Sequence, residues 1–161
     1  MFRTDKSKNE KVIIDRRRKS KTTISNIPKI SHIMICDDDP RITSSINNLV
    51  NKVSNELNVL IHVDTCYNGI ECLYRIYDNY KKQKKYDILL LDENMPGISG
   101  SLLIRILQTM IEDKELNALK IYCITSFEDE SFKKTMNSIG INGFLPKPIN
   151  KKDIEALLKL I

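Results

Sequence analysis

The sequence contains no tryptophan and only two histidines, and no apolar run approaches the ~18 residues that a membrane-spanning helix requires. The N-terminal residues MFRTDKSKNEK lack the apolar segment of a secretory signal. The four cysteines form no CxxC pair, and His32 and His62 lie inside apolar runs, so the spacing argues against a zinc site. From these absences we expect a cytoplasmic protein without a membrane segment, whose cysteines are reduced and mostly buried.

The formal net charge of +5 is concentrated at the N-terminus. Residues 1–29 contain ten Lys or Arg against three acidic residues, a net of +7, so the remaining 132 residues carry −2. The basic run from Arg16 to Lys21 is typical of a solvated linker, or alternatively of a nuclear-targeting or nucleic-acid-binding patch, although no aromatic residue is interleaved to stack on bases. We predict that residues 1–29 are a disordered tail or linker and that residues 30–161 form one folded domain.

From residue 31 onward, five short apolar segments alternate with five amphipathic segments. The apolar segments predict strands at residues 32–36, 59–63, 88–92, 120–124 and 143–145. Each is followed by apolar residues at helical spacing, and Asp39, Asn68 and Asn150 are placed to cap three of the helices. This alternation predicts an α/β fold, in which helices cover both faces of a parallel sheet.

Polar side chains stand at the C-terminal ends of the predicted strands. They are Asp37 and Asp38 after the first strand, Asp92 at the end of the third, Thr125 after the fourth and Lys147 after the fifth. The C-terminal ends of parallel strands share one edge of the sheet, which is where open α/β sheets bind their ligands. Three carboxylates that converge there repel one another, and a hard divalent cation such as Mg²⁺ relieves the repulsion.

Each of these residues also has an ordinary structural interpretation. The acids at positions 37–39 could cap the first helix, Thr125 could be a turn hydroxyl, and Lys147 could be a surface lysine. Their coincidence at the ends of four strands favours a site for phosphoryl transfer instead. In that chemistry the Asp92 carboxylate attacks as the nucleophile, while the metal ion, the hydroxyl and the ammonium group stabilise charge on the phosphoryl oxygens.

Residues 31–161 resemble the receiver domain of two-component response regulators. Four segments carry the resemblance, namely IMICDDDP (33–40), DILLLDENMPGISG (87–100), CITS (123–126) and GFLPKP (143–148). The resemblance implies a flavodoxin-like (βα)5 three-layer sandwich, whose parallel sheet has the strand order 2-1-3-4-5.

The same resemblance implies roles for the site residues. Asp92 is the implied phospho-acceptor. Asp37 and Asp38 are the implied acidic pair that holds Mg²⁺, together with Asp92 and the backbone carbonyl of Asn94. Lys147 matches the family's lysine, which contacts the phosphoryl group.

Thr125 and Phe144 occupy positions that the resemblance assigns to a switch. In the family the hydroxyl moves toward the acyl phosphate and the aromatic ring repacks. Ser126 matches a small residue that leaves room for the phosphoryl group. The implied two-state surface comprises the fourth helix, the fifth strand and the fifth helix, and a homodimer could form through it.

Two residues depart from the family's usual pattern. Asn142 stands where a small residue such as alanine is usual, and Pro146 directly precedes Lys147, where it could stiffen or slightly displace the lysine. The peptide bond from Lys147 to Pro148 is expected to be cis, as in the family. Neither departure removes a reactive group, so we expect a domain that can be phosphorylated.

The resemblance implies a signalling phospho-acceptor rather than an enzyme, with a histidine kinase or a histidine-phosphotransfer protein as the partner that donates the phosphoryl group. Both a free-standing receiver and the C-terminal receiver of a hybrid histidine kinase fit the chain. Two alternatives come from other classes. An aspartyl phosphohydrolase of the haloacid dehalogenase type usually has a second acid where this chain has Asn94, and a receiver-fold scaffold would not need the intact acidic pair.

Overall fold

A computed structural model describes residues 29–126 and 129–161. The predicted N-terminal tail, including the basic run from Arg16 to Lys21, lies outside the described residues except for Lys29. The described elements are β1 (Ile30–Cys36), α1 (Pro40–Leu57), β2 (Leu60–Cys66), α2 (Gly69–Lys81), β3 (Ile88–Asp92), α3 (Gly100–Glu112), β4 (Lys120–Thr125), α4 (Glu130–Ser138), β5 (Gly143–Pro146) and α5 (Lys151–Leu158).

The strands form one parallel sheet in the order β2-β1-β3-β4-β5, which confirms the predicted fold class and topology. β3 is the central strand, and all five of its residues are buried. A central strand covered by helices has no solvent-facing side, which explains the uninterrupted apolar run that precedes Asp92.

The edge strand β2 is longer than its apolar residues predict. The sequence pattern places this strand at residues 59–63, but it runs from Leu60 to Cys66. Its residues pair one by one with β1, ending with Cys36 opposite Cys66. Because an edge strand is only half covered, polar residues after position 63 fit into the ladder without an apolar pattern that would reveal them.

Helix starts largely follow the predicted caps. The Asp39 side chain accepts a hydrogen bond from the Arg41 backbone N–H, and Pro40 takes the first helical position of α1. Asn150 and Asp153 form a complete capping box at the start of α5.

The capping box predicted at α2 is only half formed. The Asn68 side chain accepts a hydrogen bond from the backbone N–H of Glu71, as predicted. The Glu71 carboxylate, however, accepts from the N–H of Tyr67, one residue before the cap, and its other oxygen pairs with Arg75 at 2.7 Å.

The sheet separates two apolar cores. Because side chains alternate along a strand, Ile33 and Ile35 of β1 pack with α1 and α5, whereas Met34 and Cys36 pack with α2, α3 and α4. Burying each large aliphatic side chain of these cores stabilises the fold by roughly 1.5–3 kcal/mol. The result is the predicted three-layer arrangement, which fixes the C-terminal edge of the sheet. No described helix has both the length and the apolar character needed to cross a bilayer.

Candidate functional site

The C-terminal edge of the sheet contains an open cavity of about 390 Å³. Seven residues predicted to form the site line it, namely Asp37, Asp38, Asp92, Asn94, Thr125, Ser126 and Lys147. The parallel pairing of β1, β3, β4 and β5 brings them together, although Asp37 and Lys147 are 110 residues apart in the sequence. The predicted convergence of these side chains is thus present in the structure.

Lys147 connects two of the acids in the cavity. Its Nζ donates hydrogen bonds to Asp37 Oδ2 and to Asp92 Oδ1, each at 2.7 Å. Asp37 is 1% exposed and Asp92 is 6% exposed. Two buried carboxylates at one point repel each other, and the shared ammonium group offsets this repulsion and part of their desolvation.

The second oxygen of Asp92 is also held. Asp92 Oδ2 accepts a hydrogen bond from the backbone N–H of Asn94 at 2.8 Å. The carboxylate plane is therefore fixed from both sides, by Lys147 and by the loop that follows β3. This hydrogen bond is made by the backbone N–H of Asn94. The backbone carbonyl of Asn94 therefore remains a predicted metal ligand.

Burial and neighbouring charges shift the pKa values of Asp92 and Lys147. Burial raises the pKa of Asp92, Lys147 works in the opposite direction, and the nearby charge of Asp37 adds to the increase. Burial disfavours the charged form of Lys147, but hydrogen bonds to Asp37 and Asp92 outweigh it and raise the pKa of Lys147. The lysine is thus held in its charged form beside the carboxylates.

The three consecutive acids after β1 have different environments. Asp37 is buried against Lys147, whereas Asp38 is exposed at the rim of the cavity. Asp39 caps α1 and pairs with the exposed Arg41, whose side-chain and backbone hydrogen bonds lower the pKa of Asp39 to about 2. Of the three acids, Asp39 is therefore the one that caps α1, while Asp37 and Asp38 line the cavity.

Lys147 takes its position from the pairing of β4 with β5. Thr125 lies opposite Pro146, and the backbone N–H of Lys147 donates to the carbonyl of Thr125 at 3.0 Å. The peptide bond from Lys147 to Pro148 is cis, as predicted. Pro146 does not displace Lys147, because the lysine Nζ still contacts the carboxylates of both Asp37 and Asp92.

Asn142, the other departure from the expected pattern, extends the sheet. Its side-chain carbonyl accepts from the N–H of Ile121, and its own N–H donates to the carbonyl of Ile121, both at 2.7 Å. The side-chain hydrogen bond to Ile121 is one that an alanine at this position could not make, whereas the backbone hydrogen bond does not depend on the side chain.

Phe144, predicted as a switch residue, does not line the cavity. It is half-buried on β5, and its ring lies 6.3 Å from the ring of Phe132, centroid to centroid. Phe132 belongs to α4, so this aromatic contact connects β5 with the helix that follows Thr125. Thr125 itself is 6% exposed at the end of β4.

Sequence reasoning did not identify the residues that support the loop after Asp92. The Glu93 carboxylate accepts hydrogen bonds from the backbone N–H and the hydroxyl of Ser101, at 2.7 and 2.8 Å. A Cβ on Gly100 would lie 2.5 Å from the carbonyl oxygen of Asp92, so only glycine fits there without a shift of the backbone. The glycine in the sequence could have suggested a close approach, but not its partner.

A second groove, of about 520 Å³, adjoins the cavity on the α1 side. It is lined by apolar residues that include Ile42, Ile46, Leu49 and Pro148. Lys147 contributes to both spaces, so the groove is continuous with the surroundings of the two carboxylates.

The donor atoms of the cavity match the chemistry of Mg²⁺. Asp37, Asp38 and Asp92 line the cavity with carboxylate oxygens, which are the hard ligands that this ion prefers, and the backbone carbonyl of Asn94 remains the further ligand predicted from the sequence. The ammonium of Lys147, shared by two carboxylates, shows that the cavity stabilises positive charge.

Comparison with known proteins agrees with the observed fold and with the family that the sequence resembles. Residues 33–159 match the family model described as the response regulator receiver domain. A homologue of the transcriptional regulatory protein CpxR from Haemophilus influenzae is 24% identical over 132 residues, which are 82% of this chain and 50% of that protein. The osmosensing histidine protein kinase SLN1 of Saccharomyces cerevisiae is 26% identical over 147 residues, which are 85% of this chain and 11% of the kinase.

A solved structure shows the same fold. The chemotaxis protein CheY4 of Vibrio cholerae superposes with a TM-score of 0.66 at 18% identity, covering 83% of this chain and 99% of that one. The chain spans about half the length of the first curated relative and about a ninth of the second. The likeness is therefore to one domain of these longer proteins.

Proposed function

The chain belongs to the response regulator receiver domain family, and on that premise we propose that it accepts a phosphoryl group on Asp92 from a phosphohistidine of a partner protein. The partner class is a histidine kinase or a histidine-phosphotransfer protein. The domain acts as a signalling phospho-acceptor in a phosphorelay and not as an enzyme with its own turnover.

The observation that carries this proposal is the contact of one lysine with two buried carboxylates. Lys147 Nζ lies 2.7 Å from both Asp37 and Asp92. A purely structural ion pair needs one acid, whereas this arrangement keeps two acids and a cation around an open cavity. Such a grouping supplies a nucleophile, a metal ligand and a group that stabilises phosphoryl oxygens within one space.

In the proposed reaction, a carboxylate oxygen of Asp92 attacks the phosphorus of the phosphohistidine. An O–P bond forms while the P–N bond to the imidazole breaks, and the leaving nitrogen takes a proton from solvent. Asn94 and Lys147 orient the carboxylate before the attack. Lys147 then pairs with a phosphoryl oxygen in place of Asp92 Oδ1, because phosphorylation removes the negative charge of the Asp92 carboxylate.

Asp37, Asp38, Asp92 and the Asn94 carbonyl would hold Mg²⁺, which when bound supplies positive charge to the phosphoryl oxygens. The protein's own contribution is to keep these oxygen ligands on one edge of the sheet. Asp37 is positioned for this by β1 and by the hydrogen bond that its Oδ1 accepts from the N–H of Asp39 at 3.0 Å.

Thr125 and Phe144 are proposed to transmit the phosphorylated state. The hydroxyl of Thr125 can reach a phosphoryl oxygen in the cavity that it lines. Movement of β4 relative to β5 changes the space around Phe144, whose contact with Phe132 extends to α4. The proposed output surface therefore comprises α4, β5 and α5, through which a homodimer could form, in a cytoplasmic protein.

The donor is proposed to approach over the groove on the α1 side. A phosphohistidine reaches Asp92 only if the donor's surface lies against the mouth of the cavity. The groove lined by Ile42, Ile46 and Leu49 gives that surface an apolar contact immediately beside Lys147. A small phosphodonor would not need this contact. Changes in the groove should therefore affect transfer from a phosphohistidine protein but not labelling by a small phosphodonor.

The test uses the full chain, a small-molecule phosphodonor and Mg²⁺. We expect the protein mass to increase by one phosphoryl group, the increase to vanish with a chelator, and hydroxylamine to remove it as expected for an acyl phosphate. A protein whose mass does not change, or changes equally without Mg²⁺, would contradict the proposal. Steady hydrolysis of a phosphomonoester would support the phosphohydrolase alternative instead.

A further inference from the structure

Three cysteines from β1, β2 and α2 meet next to the acidic residues that follow β1. Cys36 ends β1, Cys66 ends β2, and Cys72 lies near the start of α2. Their Sγ atoms all lie within 4.8 Å of one another, and all three residues are fully buried. The convergence comes from the pairing of Cys36 with Cys66 across the two strands and from the packing of α2 on them.

The surroundings of these thiols are rich in sulfur. The Sδ atom of Met95 lies 3.4 Å from Cys36 Sγ, on the loop that follows β3. Among the described residues, the cluster contains no histidine and no carboxylate. Thiolate and thioether ligands favour Cu(I), whereas a structural zinc site takes four ligands from cysteine, histidine and carboxylates.

We propose that Cys36, Cys66 and Cys72 form a binding site for one soft monovalent metal ion of the Cu(I) class. Since the three Sγ atoms lie within 4.8 Å of one another, an ion equidistant from them would lie no more than about 2.8 Å from each. Closing that distance to a metal–thiolate bond of ~2.3 Å takes at most about 0.5 Å per ligand. Small changes of the cysteine side chains supply this movement without a change of fold.

The chemistry of binding is a ligand exchange. The ion replaces thiol protons, which go to solvent, and neither copper nor sulfur changes its oxidation state. Negative charge that remains on the thiolates lies beside the N-terminus of α2, which begins at Gly69 and carries partial positive charge.

The cluster is joined directly to the acidic pair. Cys36 immediately precedes Asp37, and the backbone N–H of Asp37 donates to the carbonyl of Cys66 at 3.3 Å. Because this hydrogen bond adjoins two of the thiols, binding of the ion changes the surroundings of both residues that form it. We expect the amide resonances of Asp37 and Cys66 to shift when the ion binds.

The direct experiment is an anaerobic titration of the reduced full chain with Cu(I), in competition with a chromophoric Cu(I) chelator. We expect one ion per chain, with thiolate-to-copper charge-transfer absorbance in the near ultraviolet. Cys72→Ser should weaken binding by at least about tenfold, the size of loss that even outer-shell changes cause at metal sites. Cys123→Ser is the matched control, because Cys123 is a buried cysteine of β4 outside the cluster.

A measurement on the unaltered protein guards against variants that fail to fold. X-ray absorption at the copper edge should show three sulfur neighbours at about 2.3 Å. Oxygen or nitrogen neighbours instead, or equal copper affinity in the wild type and in Cys72→Ser, would overturn the site. Cysteine-dependent binding of Zn²⁺ that is tighter than that of Cu(I) would overturn the assignment to a soft monovalent ion.

Discussion

Lys147 and Asp92, which are 55 residues apart in the sequence, form a 2.7 Å charge-assisted hydrogen bond at the C-terminal edge of the sheet. The same lysine nitrogen reaches Asp37, so removing it leaves two buried carboxylates without their shared cation. From this relationship we expect the stability of the protein to depend on the cations present.

Lys147→Met should lower the free energy of unfolding in metal-free buffer by about 1–3 kcal/mol, because the variant leaves buried carboxylates uncompensated. Adding Mg²⁺ should recover stability in this variant more than in the wild type, since the ion no longer competes with the lysine. Denaturant unfolding with and without Mg²⁺ measures both effects. Lys152→Met, which changes an exposed lysine of α5, is the control and should change stability little. Equal Mg²⁺ responses in the two variants would contradict the proposed cation sharing.

Ser45→Arg should slow phosphoryl transfer from a phosphohistidine protein while leaving labelling by a small phosphodonor unchanged. Ser45 lines the groove on the α1 side, and a long charged side chain there would obstruct a docked donor. Ser44→Arg is the matched control, since Ser44 is also exposed on α1 but does not line the groove. The measurement compares the rates at which one phosphorylated histidine protein transfers its phosphoryl group to the wild type and to each variant. If both variants slow transfer equally, the donor does not use the groove specifically.

The cap of α4 predicts a pH-dependent contribution to stability. Hydrogen bonds from the Ser131 hydroxyl and backbone N–H lower the pKa of Asp129 below its ordinary value. A carboxylate with a lowered folded-state pKa stabilises the fold above its unfolded-state pKa, and the contribution is lost as pH falls through the folded-state pKa. Asp129→Ala should therefore have a lower melting temperature than the wild type at pH 7, with a difference that shrinks below about pH 4.

Asp129→Asn separates charge from capping at this position. Asparagine caps helices about as well as aspartate but does not titrate, so this variant should retain most of the stability at pH 7. Its stability difference from the Ala variant should not change with pH. A difference between Asp129→Ala and the wild type that stays constant from pH 7 to pH 3 would show that the carboxylate charge contributes nothing.

Gly100→Ala should destabilise the protein by about 1–3 kcal/mol, because the added Cβ would meet the Asp92 carbonyl at 2.5 Å and force the loop to move. Gly97→Asn is the comparison, since Gly97 lies on the loop that leads into α3, with φ +84° and open space around it. Asparagine tolerates that conformation better than other residues. Thermal unfolding of the two variants should rank Gly100→Ala lower. The reverse order would mean that the loop adapts freely next to Asp92.

The fold was predictable because its signals are local. The buried run before Asp92, the cap at Asp39 and the proline after it each follow from short-range rules, and parallel pairing then brings the strand ends together. The sequence distinguished Asp39 as a helix cap, but it could not distinguish the buried Asp37 from the exposed Asp38, since only packing around Lys147 gives these two acids different surroundings.

Other features depend on contacts that no local pattern encodes. The contact of Glu93 with Ser101 and the meeting of Cys36, Cys66 and Cys72 arise from where loops and helices pack on the sheet. The cysteine spacing argues against a zinc site by the usual motifs, yet those motifs describe ligands on one hairpin or helix. Ligands that come from two paired strands and a helix leave no such spacing.

The most direct test of the central claim is transfer from a phosphorylated histidine protein to the full chain and to its Asp92→Asn variant, with Mg²⁺ present. The wild type should gain one phosphoryl group, located by peptide mass spectrometry at Asp92, and the variant should gain none. Asp113→Asn, which changes the residue directly after α3, is the control and should be labelled like the wild type. Full labelling of Asp92→Asn, or a phosphoryl group at another residue of the wild type, would contradict the account.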